Sequence, residues 1–579
     1  MSWLDDLEKK LHDVDIQVVN DAKSPSGRPH VGALRGVLIH DAVYKFLNDR
    51  GIKTKNIYGS DDYDPMDELP GGETAEKYNK YLGAPLSSVP APEGSEHKDL
   101  AMHYISDFFN IFEEIGAEAE FYYMRNLYQN GFMNEAIDTL LSRAAEVREI
   151  YKRISNADRP DDWFPAQVVC EKCGKLGTTQ IIAYDGKEAT YICRPDMVTW
   201  AKGCGHKGKI SPFDGNGKLP YKVEWAAKWK YLNITIEGAG TDHNTRGGSR
   251  DVADAVSRKI FNYPPPVNIP YGFFLLGGAK MSSSKGIGAT ARDMTNFLPA
   301  EILRYLMLGT QPKRAINFEP SQIFITKIFN DYDKLHNKIT ANEELPEYEQ
   351  QIYNLSNVFT KEKYEIVEFS IIVTLIQLPH INIFEKIEER LNRKLTDLEH
   401  KNLEKRINAA KYWLENLAPE EELIQLQENL PEEAKKLSQA QIGFLRTYAG
   451  YIKTLNWTED NLQTAVFDAA RLTPINPKLG FEAIYRVMLN KPQGPKAGSL
   501  VAYIDKDFLQ KRFNEPEFNQ VEFWNETAIT KSELDDWINQ NSDKIVEKSE
   551  QVIKHHEKSV TEFKFMLNDG KTHIKRIFI

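Results

Sequence analysis

DIQVVNDAKSPSGRPHVGALRGVLIHDAVYKFL, running from Asp15 to Leu47, is the stretch that decides the fold. Ile16, Val18 and Val19 make a short apolar run suited to a buried strand. Asp21 to Pro29, with Pro25, Ser26, Gly27 and Pro29, reads as a loop, and His30 to Leu47 repeats apolar residues at helical spacing through Val31, Leu34, Leu38, Val43 and Phe46. Strand, glycine-containing loop and helix in this order turn the first helical N–H groups and the positive end of the helix dipole toward the loop, which suits phosphate. A second strand, Lys55 to Tyr58, ends in the polar run Gly59 to Asp64. Polar groups at the carboxyl ends of parallel strands line the ligand crevice of an open α/β sheet, so an α/β Rossmann-type nucleotide-binding domain is expected.

Working outward, residues 70 to 98 are rich in Gly, Pro and Ser and read as a loop excursion, and helices are expected between Asp99 and Ser155. After residue 212 the α/β pattern resumes. Val223 to Leu232 is helical, Asn233 to Ile236 is an apolar strand, and the glycine-rich polar run Glu237 to Arg250 opens a helix over Asp251 to Phe261. One nucleotide fold interrupted by an insertion accounts for this order. Its halves are expected at 1–98 and 223–290, with an inserted connecting domain at 99–222. Beyond 290 the chain reads as helical, in a short region 291–345, an all-α domain 346–514 and an extension 515–579 whose role the sequence leaves open. That extension is expected to end in a hairpin, Phe563 to Leu567 and His573 to Ile579 about the turn Asn568-Asp569-Gly570.

All four cysteines fall between Cys170 and Cys204, as Cys170-x2-Cys173, then Cys193, then Cys204. A C-x2-C knuckle closed by a second pair of thiols supplies the four ligands of a tetrahedral structural zinc, in a loop-rich module at about 163–212. His206 is the alternative to Cys204 as fourth ligand. Glu93, Glu96, His97 and His103 are a second, weaker grouping of metal-ligand types.

The 579 residues are 41% hydrophobic and 27% charged, an ordinary globular composition, and no uncharged apolar run is long enough to span a membrane. Met1 to Lys10 carries Asp5, Asp6 and Glu8, the wrong chemistry for a targeting peptide, so the cytoplasm is the expected location. The net charge of −11 argues, taken whole, against a nucleic-acid partner. The charge is unevenly spread, however. Residues 51–150 hold 8 Lys+Arg against 19 Asp+Glu, and residues 201–300 hold 14 against 7, so a basic block with Arg246, Arg250, Lys280 and Lys285 lies mid-chain.

Two motifs carry the chemistry. Pro25-Ser-Gly-Arg-Pro-His30-Val-Gly32-Ala33 sits at the start of the first helix. Gly277-Gly-Ala-Lys280-Met281-Ser282-Ser283-Ser284-Lys285-Gly286 follows the apolar run Tyr271 to Leu276, and its two lysines around small hydroxyl residues suit a cationic clamp on a triphosphate. His-Val-Gly followed some 250 residues later by Lys-Met-Ser-Ser-Ser-Lys resembles the paired signatures of class I aminoacyl-tRNA synthetases. Within that class the chain resembles the lysyl type, in Gly59 to Asp64, the cysteine spacing, Ser211 to Pro220 and Gly240-Thr-Asp-His-Asn-Thr-Arg-Gly-Gly248.

The resemblance implies a lysine–tRNA ligase that joins lysine and ATP into lysyl-adenylate, with Mg²⁺ on the triphosphate, and passes the lysyl group to the terminal adenosine of tRNA(Lys). It implies His30, Lys280 and Lys285 as catalytic residues. Gly27, His30, Gly32, Asp242, Lys280, Met281, Ser282, Ser283 and Lys285 are the implied ATP site. For lysine, whose ammonium needs a carboxylate and aromatic walls, the candidates are Asp21, Gly27, Asp61, Asp62, Asp64, Tyr221, Trp225, Asp242, His243 and Tyr271, with Glu224 also near the crevice. Two positions depart from the general class I signatures: Ser283 stands where a second lysine is usual, and Ala33 where a histidine is usual. The resemblance further makes 291–345 a stem-contact region and 346–514 an anticodon-binding helical domain, where Trp413, Phe444, Arg446, Tyr448, Trp457, Arg471 and Arg486 are available to bases. A class I synthetase for glutamate, glutamine or cysteine, or a non-catalytic zinc-ribbon RNA-binding paralogue, is the alternative.

Overall fold

The computed structural model describes residues 3–70, 75–277, 279–280, 290–378, 381–419 and 423–579. The chain divides into two units, Met1–Ile366 and Val367–Ile579.

A parallel sheet organises the first unit. A short helix, α1 (Trp3–Glu8), precedes β1 (Gln17–Lys23), which pairs in parallel along its whole length with β2 (Thr54–Ser60). β2 in turn pairs with β3 (Glu120–Tyr123). On the other side of β1, Val19 bridges Ile236 and Ile236 bridges Val267, and the line continues as Ala239–Gly240 beside Pro270–Tyr271. The spatial order is thus β3, β2, β1, 235–240, 267–271, all parallel. This is the order of a doubly wound nucleotide fold, whose crevice opens where the strand order reverses, at the carboxyl ends of β1 and of 235–240. Between β1 and β2 runs α2 (Gly32–Asp49), which buries Leu34, Val37, Leu38 and Val43. Its starting residue, Val31, makes no side-chain cap; the N–H groups of Ala33 and Leu34 donate to the carbonyls of His30 and Val31 at 2.9 and 3.0 Å.

Three boundaries differ from the expectation. Asp21 to Lys23 is strand rather than loop, because the ladder with β2 runs to Lys23 opposite Ser60 and Asp61 donates its N–H to the Lys23 carbonyl at 3.0 Å. β3 was hidden in a stretch expected to be helical; Phe121 stacks on Phe109 with centroids 3.9 Å apart, holding this short strand as the sheet's edge. The insertion therefore begins after β3 and not at residue 99. It contains a three-stranded antiparallel sheet, Thr179–Tyr184, Ala189–Cys193 and Lys207–Ile210, whose core is continuous with Val18 and Ile57 of the main sheet.

The first unit also extends further than expected, to Ile366 rather than 345. Helices Ala300–Leu308, Gln322–Thr340 and Glu347–Ser356 belong to it. Arg304, fully buried, explains the attachment: one guanidinium nitrogen lies 2.6 Å from the Asp41 carboxylate on α2, another donates to the Leu355 carbonyl at 2.6 Å and a third to that of Ile115 at 3.1 Å.

In the second unit, helices Asp397–Asn416, Gln439–Ile452, Glu459–Leu472, Pro477–Leu489 and Lys506–Asn514 are the longer or better buried elements. The extension carries more strand than the expected hairpin: a three-stranded antiparallel meander, Ile545–His555, Lys558–Leu567 and Thr572–Phe578. The expected hairpin forms its last two strands. The first strand was missed because IVEKSEQVIKH has no apolar alternation: it lies on the sheet edge, with Val546 and Val552 exposed. Val560 packs on Phe523 and Trp524, and Phe563 and Phe565 pack on Leu534, giving this extension small cores of its own.

Candidate active site and the cysteine cluster

The crevice at the strand ends is a cavity of about 260 Å³ lined by Asp21, Lys23, His30, Gly32, Tyr58, Asp242, His243 and Tyr271, among others. Asp21 stands on its floor. One carboxylate oxygen accepts the Ala22 N–H at 2.8 Å; the other lies 3.5 Å from Nδ1 of the buried His40. Nε2 of His40 accepts the Gly238 N–H at 2.8 Å, so the hydrogen-bond network assigns its proton to Nδ1, which donates to the Gly36 carbonyl at 2.7 Å. Gly36 is required here. A Cβ at that position would stand 2.6 Å from Asp21 Oδ2 and 2.9 Å from Tyr271 Oη, inside both side chains. Burial, and next the Asp21 charge, raise the Tyr271 phenol well above its ordinary pKa, so it stays a neutral donor.

Gly32 begins α2, and a Cβ there would meet the His30 ring at 2.8 Å. His30 also bridges Thr290 in antiparallel fashion, and the Ala291 N–H donates to the Pro29 carbonyl at 2.8 Å. At its other root, the second motif starts from a turn in which Lys280 pairs with Leu275. The backbone thus ties Thr290 and Ala291, just past the second motif, to the first. Met281, Ser282, Ser283 and Lys285 lie outside the described residues.

Asp242 and His243 enter from the loop after Ala239–Gly240. That loop is braced by Asn244, which donates to the carbonyls of Ala239 and Gly240 at 2.9 Å, and by Arg250. Arg250 is buried and donates to the carbonyls of Glu237 (2.8 Å) and Pro266 (2.6 Å) with its guanidinium 4.6 Å over the Trp229 ring. Although it belongs to the basic block of the sequence, it is therefore an internal brace. Arg246 is exposed.

The cavity does not gather the whole acidic run. Asp61 pairs with Lys228 at 2.9 Å. Asp62 is fully buried against Arg125, whose guanidinium also holds Asp99 at 2.7 Å. Asp64 accepts from Ser24 at 2.6 Å and pairs with Lys218 at 2.9 Å, and Lys218 also pairs with the buried Glu224. These acids are spent on fixed cations of the protein, which is why they do not line the cavity. Gly27 lies in the loop before His30 with open space around it. Trp225 packs beside His243 at 5.9 Å, and Tyr221, half exposed, bonds Ser249. Lys23, Tyr58 and Gly36 were missed. Strand alternation would have pointed to Lys23, two residues from Asp21 and on the same face of β1.

The four cysteine sulfurs lie within 4.8 Å of one another. Cys170 and Cys204 are 3.7 Å apart, and so are Cys173 and Cys193. Two knuckles build the cluster: Gly174 and Gly205 turn the chain with φ of +70° and +77°, and the Cys204 N–H points at the Cys193 sulfur at 3.3 Å. His206 is not in the cluster; its ring packs 6.0 Å from Tyr191. The weaker grouping does not assemble a metal site among the described residues. His97 bonds Ser106 at 2.7 Å and His103 bonds Ser95 at 2.9 Å.

In the second unit Trp413, Phe444 and Tyr448 are fully buried core residues, so none of them can stack a base. Arg471 pairs with Asp468, and Arg486 with Glu433 and Glu482. Arg446 lies over Phe518 at 5.1 Å, and Trp457 donates to the Ala502 carbonyl at 3.0 Å.

Comparison with known proteins agrees with this geometry. Residues 1–359 match the family of class I (K) tRNA synthetases. The lysine–tRNA ligase of Methanocaldococcus jannaschii is 33% identical over 543 residues, covering 89% of this chain and 99% of that one. Those of Methanococcus maripaludis (31%) and Picrophilus torridus (30%) cover the same shares of both chains. No helix among the described residues is long and apolar enough to cross a membrane. With more than half its length matched by the family and a strand order, crevice and paired motifs to go with it, the chain belongs to the class I (K) tRNA synthetases.

Proposed function

We infer that this chain is an ATP-dependent lysine–tRNA ligase acting on lysine, ATP and tRNA(Lys), in the cytoplasm. The observation that carries the reading is the crevice that unites Asp21, His30, Gly32, Asp242, His243 and Tyr271 in a chain of this family. In the first step an oxygen of the lysine carboxylate attacks the α-phosphorus in line, and the bond to the β-phosphate oxygen breaks, releasing pyrophosphate. In the second, a ribose hydroxyl of the terminal adenosine attacks the acyl carbon and AMP leaves. Neither step needs a protein nucleophile, so the protein contributes positioning and charge. His30 and Gly32, at the start of α2, receive phosphate. Asp21, backed by Tyr271, takes a lysine ammonium, and Asp242 and His243 face the adenylate. Lys280, Met281, Ser282, Ser283 and Lys285 close over ATP, and Mg²⁺ accompanies the triphosphate.

A tetrahedron of Zn–S bonds near 2.3 Å has sulfurs about 3.8 Å apart, which the cysteine cluster fits, so Cys170, Cys173, Cys193 and Cys204 would hold a structural zinc. The second unit would serve the anticodon through exposed groups other than its core aromatics.

ATP–pyrophosphate exchange, run with tRNA present, tests the reading. Exchange is expected with lysine and not with glutamate, glutamine or cysteine; exchange with none of them would leave the non-catalytic alternative standing. A second prediction comes from the cavity floor. Gly36→Ala should push Asp21 and Tyr271 from their places and raise the lysine KM by about 10- to 100-fold while the ATP KM moves little. Equal changes in both constants would deny Asp21 its role.

A further inference from the structure

Lys23 has no part in the signatures, yet it lines the reaction cavity. It is the last residue of β1 and stands opposite Ser60. Its side chain shares a face of the strand with Asp21, two residues earlier, and lies at the end of the sheet where α2 begins. Among the described residues no carboxylate lies within ion-pairing distance of its ammonium. Of the two acids whose charges act on it, Asp21 lies 3.5 Å from His40 and Asp61 pairs with Lys228 at 2.9 Å. Burial pulls the Lys23 pKa below the ordinary lysine value, and the charges of Asp21 and Asp61 offset this only in part. A half-enclosed cation without a paired anion, opening on a cavity, is costly unless an anion arrives there.

Two anionic groups meet in this cavity during adenylate formation, the carboxylate of the amino acid and the α-phosphate of ATP. Lysine carries its charges in a fixed sense, the ε-ammonium at one end of the stem and the carboxylate, beside the α-ammonium, at the other. A strand end that presents a carboxylate at Asp21 and an ammonium at Lys23, about 7 Å apart from one Cα to the other, matches such a dipolar substrate in one orientation only. We propose that Lys23 binds the carboxylate of the substrate lysine and so turns its oxygen toward the α-phosphorus. The reversed orientation would set the ε-ammonium, with no carboxylate beside it, against the ammonium of Lys23. This inference rests on the lysine-ligase reading above and adds to it the group that selects the carboxylate end.

Lysine and cadaverine, which is lysine without its carboxylate, separate the two readings. In the full-length wild-type protein, lysine-dependent exchange tests the ligase function itself. Inhibition of that exchange by cadaverine then gives the affinity of the same stem and ammonium groups without the carboxylate. In Lys23→Met and Lys23→Gln the lysine KM is expected to rise by about 10- to 100-fold, the range for a lost charge-assisted hydrogen bond, with the cadaverine inhibition constant unchanged or lower. Lys23→Arg should restore most of the preference for lysine. The proposal is overturned if the ratio of the lysine to the cadaverine constant stays at its wild-type value in both neutral variants, whether because neither constant moves or because both rise together.

Discussion

Cys173→Ser is expected to lower bound zinc from about one per chain to a small fraction, and to loosen the first unit well beyond the cysteine knuckles. A structural zinc supplies folding free energy directly, of order 10 kcal/mol in isolated modules at neutral pH. Here the module is not isolated. Cys170 and Cys193 are buried in the same apolar cluster as Val18 and Ile57 of the parallel sheet, Trp229 and Val223. Loss of the tetrahedron is therefore expected to fray the sheet Thr179–Ile210 first and then to uncover the back of β1 and β2, whose residues Asp21, Lys23 and Tyr58 line the crevice. Metal analysis and thermal melting on the same sample check it: zinc content and melting temperature should fall together, and treatment of the wild type with a strong chelator should reproduce both. Stoichiometric zinc in the variant would mean that the ligand set is wrong.

The second large effect is expected at Lys218. Burial alone would discharge this side chain, but the carboxylates of Asp64 and Glu224 overcome it and hold Lys218 well above the ordinary lysine pKa. Glu224, also buried, is raised by desolvation against the pull of Lys218. The group is also tied to the fold by the Tyr128 hydroxyl, which donates to Glu224 at 2.8 Å and accepts the Leu219 N–H at 3.1 Å. Lys218→Met would leave two acids facing each other in a buried site with no cation between them. A loss of about 3–5 kcal/mol is expected, the size found when one partner of a buried ion pair is removed. Urea unfolding followed by tryptophan fluorescence measures it. Glu224→Gln added to Lys218→Met should recover part of the loss, because it removes one of the two stranded charges. If Lys218→Met costs less than 1 kcal/mol, Asp64 and Glu224 are not held as charges, and Asp64 returns as a candidate for substrate binding.

The acids of the Gly59 to Asp64 run illustrate where reading the sequence stops. Three acids after a strand point to a cation, and the chain does supply cations to them, but its own. Arg125, Lys218 and Lys228 come from positions 63 to 167 residues away in sequence from Asp62, Asp64 and Asp61. Nothing local to residues 59–64 announces those partners. The aromatic residues of the second unit teach the same lesson on a helix: Trp413, Phe444 and Tyr448 recur at helical spacing, and spacing alone does not say which side is inward. By contrast the first motif was legible because strand, loop and helix are contiguous, and each step has a local cause in the apolar run, the prolines and glycine, and the helical period.

What the sequence determined by itself is whatever depends on neighbours along the chain: the β1–loop–α2 unit, the two motifs, the cysteine knuckles and the last hairpin. Its net charge of −11 hid a division that segment counts revealed, but even those counts misjudged Arg250, which is an internal brace. Only the tertiary structure decided which acids remain open to a substrate, that β3 completes the sheet, and that Lys23 looks into the cavity without an ion-pair partner among the described residues. The reason is electrostatic. A charged side chain is free or spent according to which opposite charge folding brings within about 4 Å of it, and that distance is set by packing between elements rather than by order along the chain.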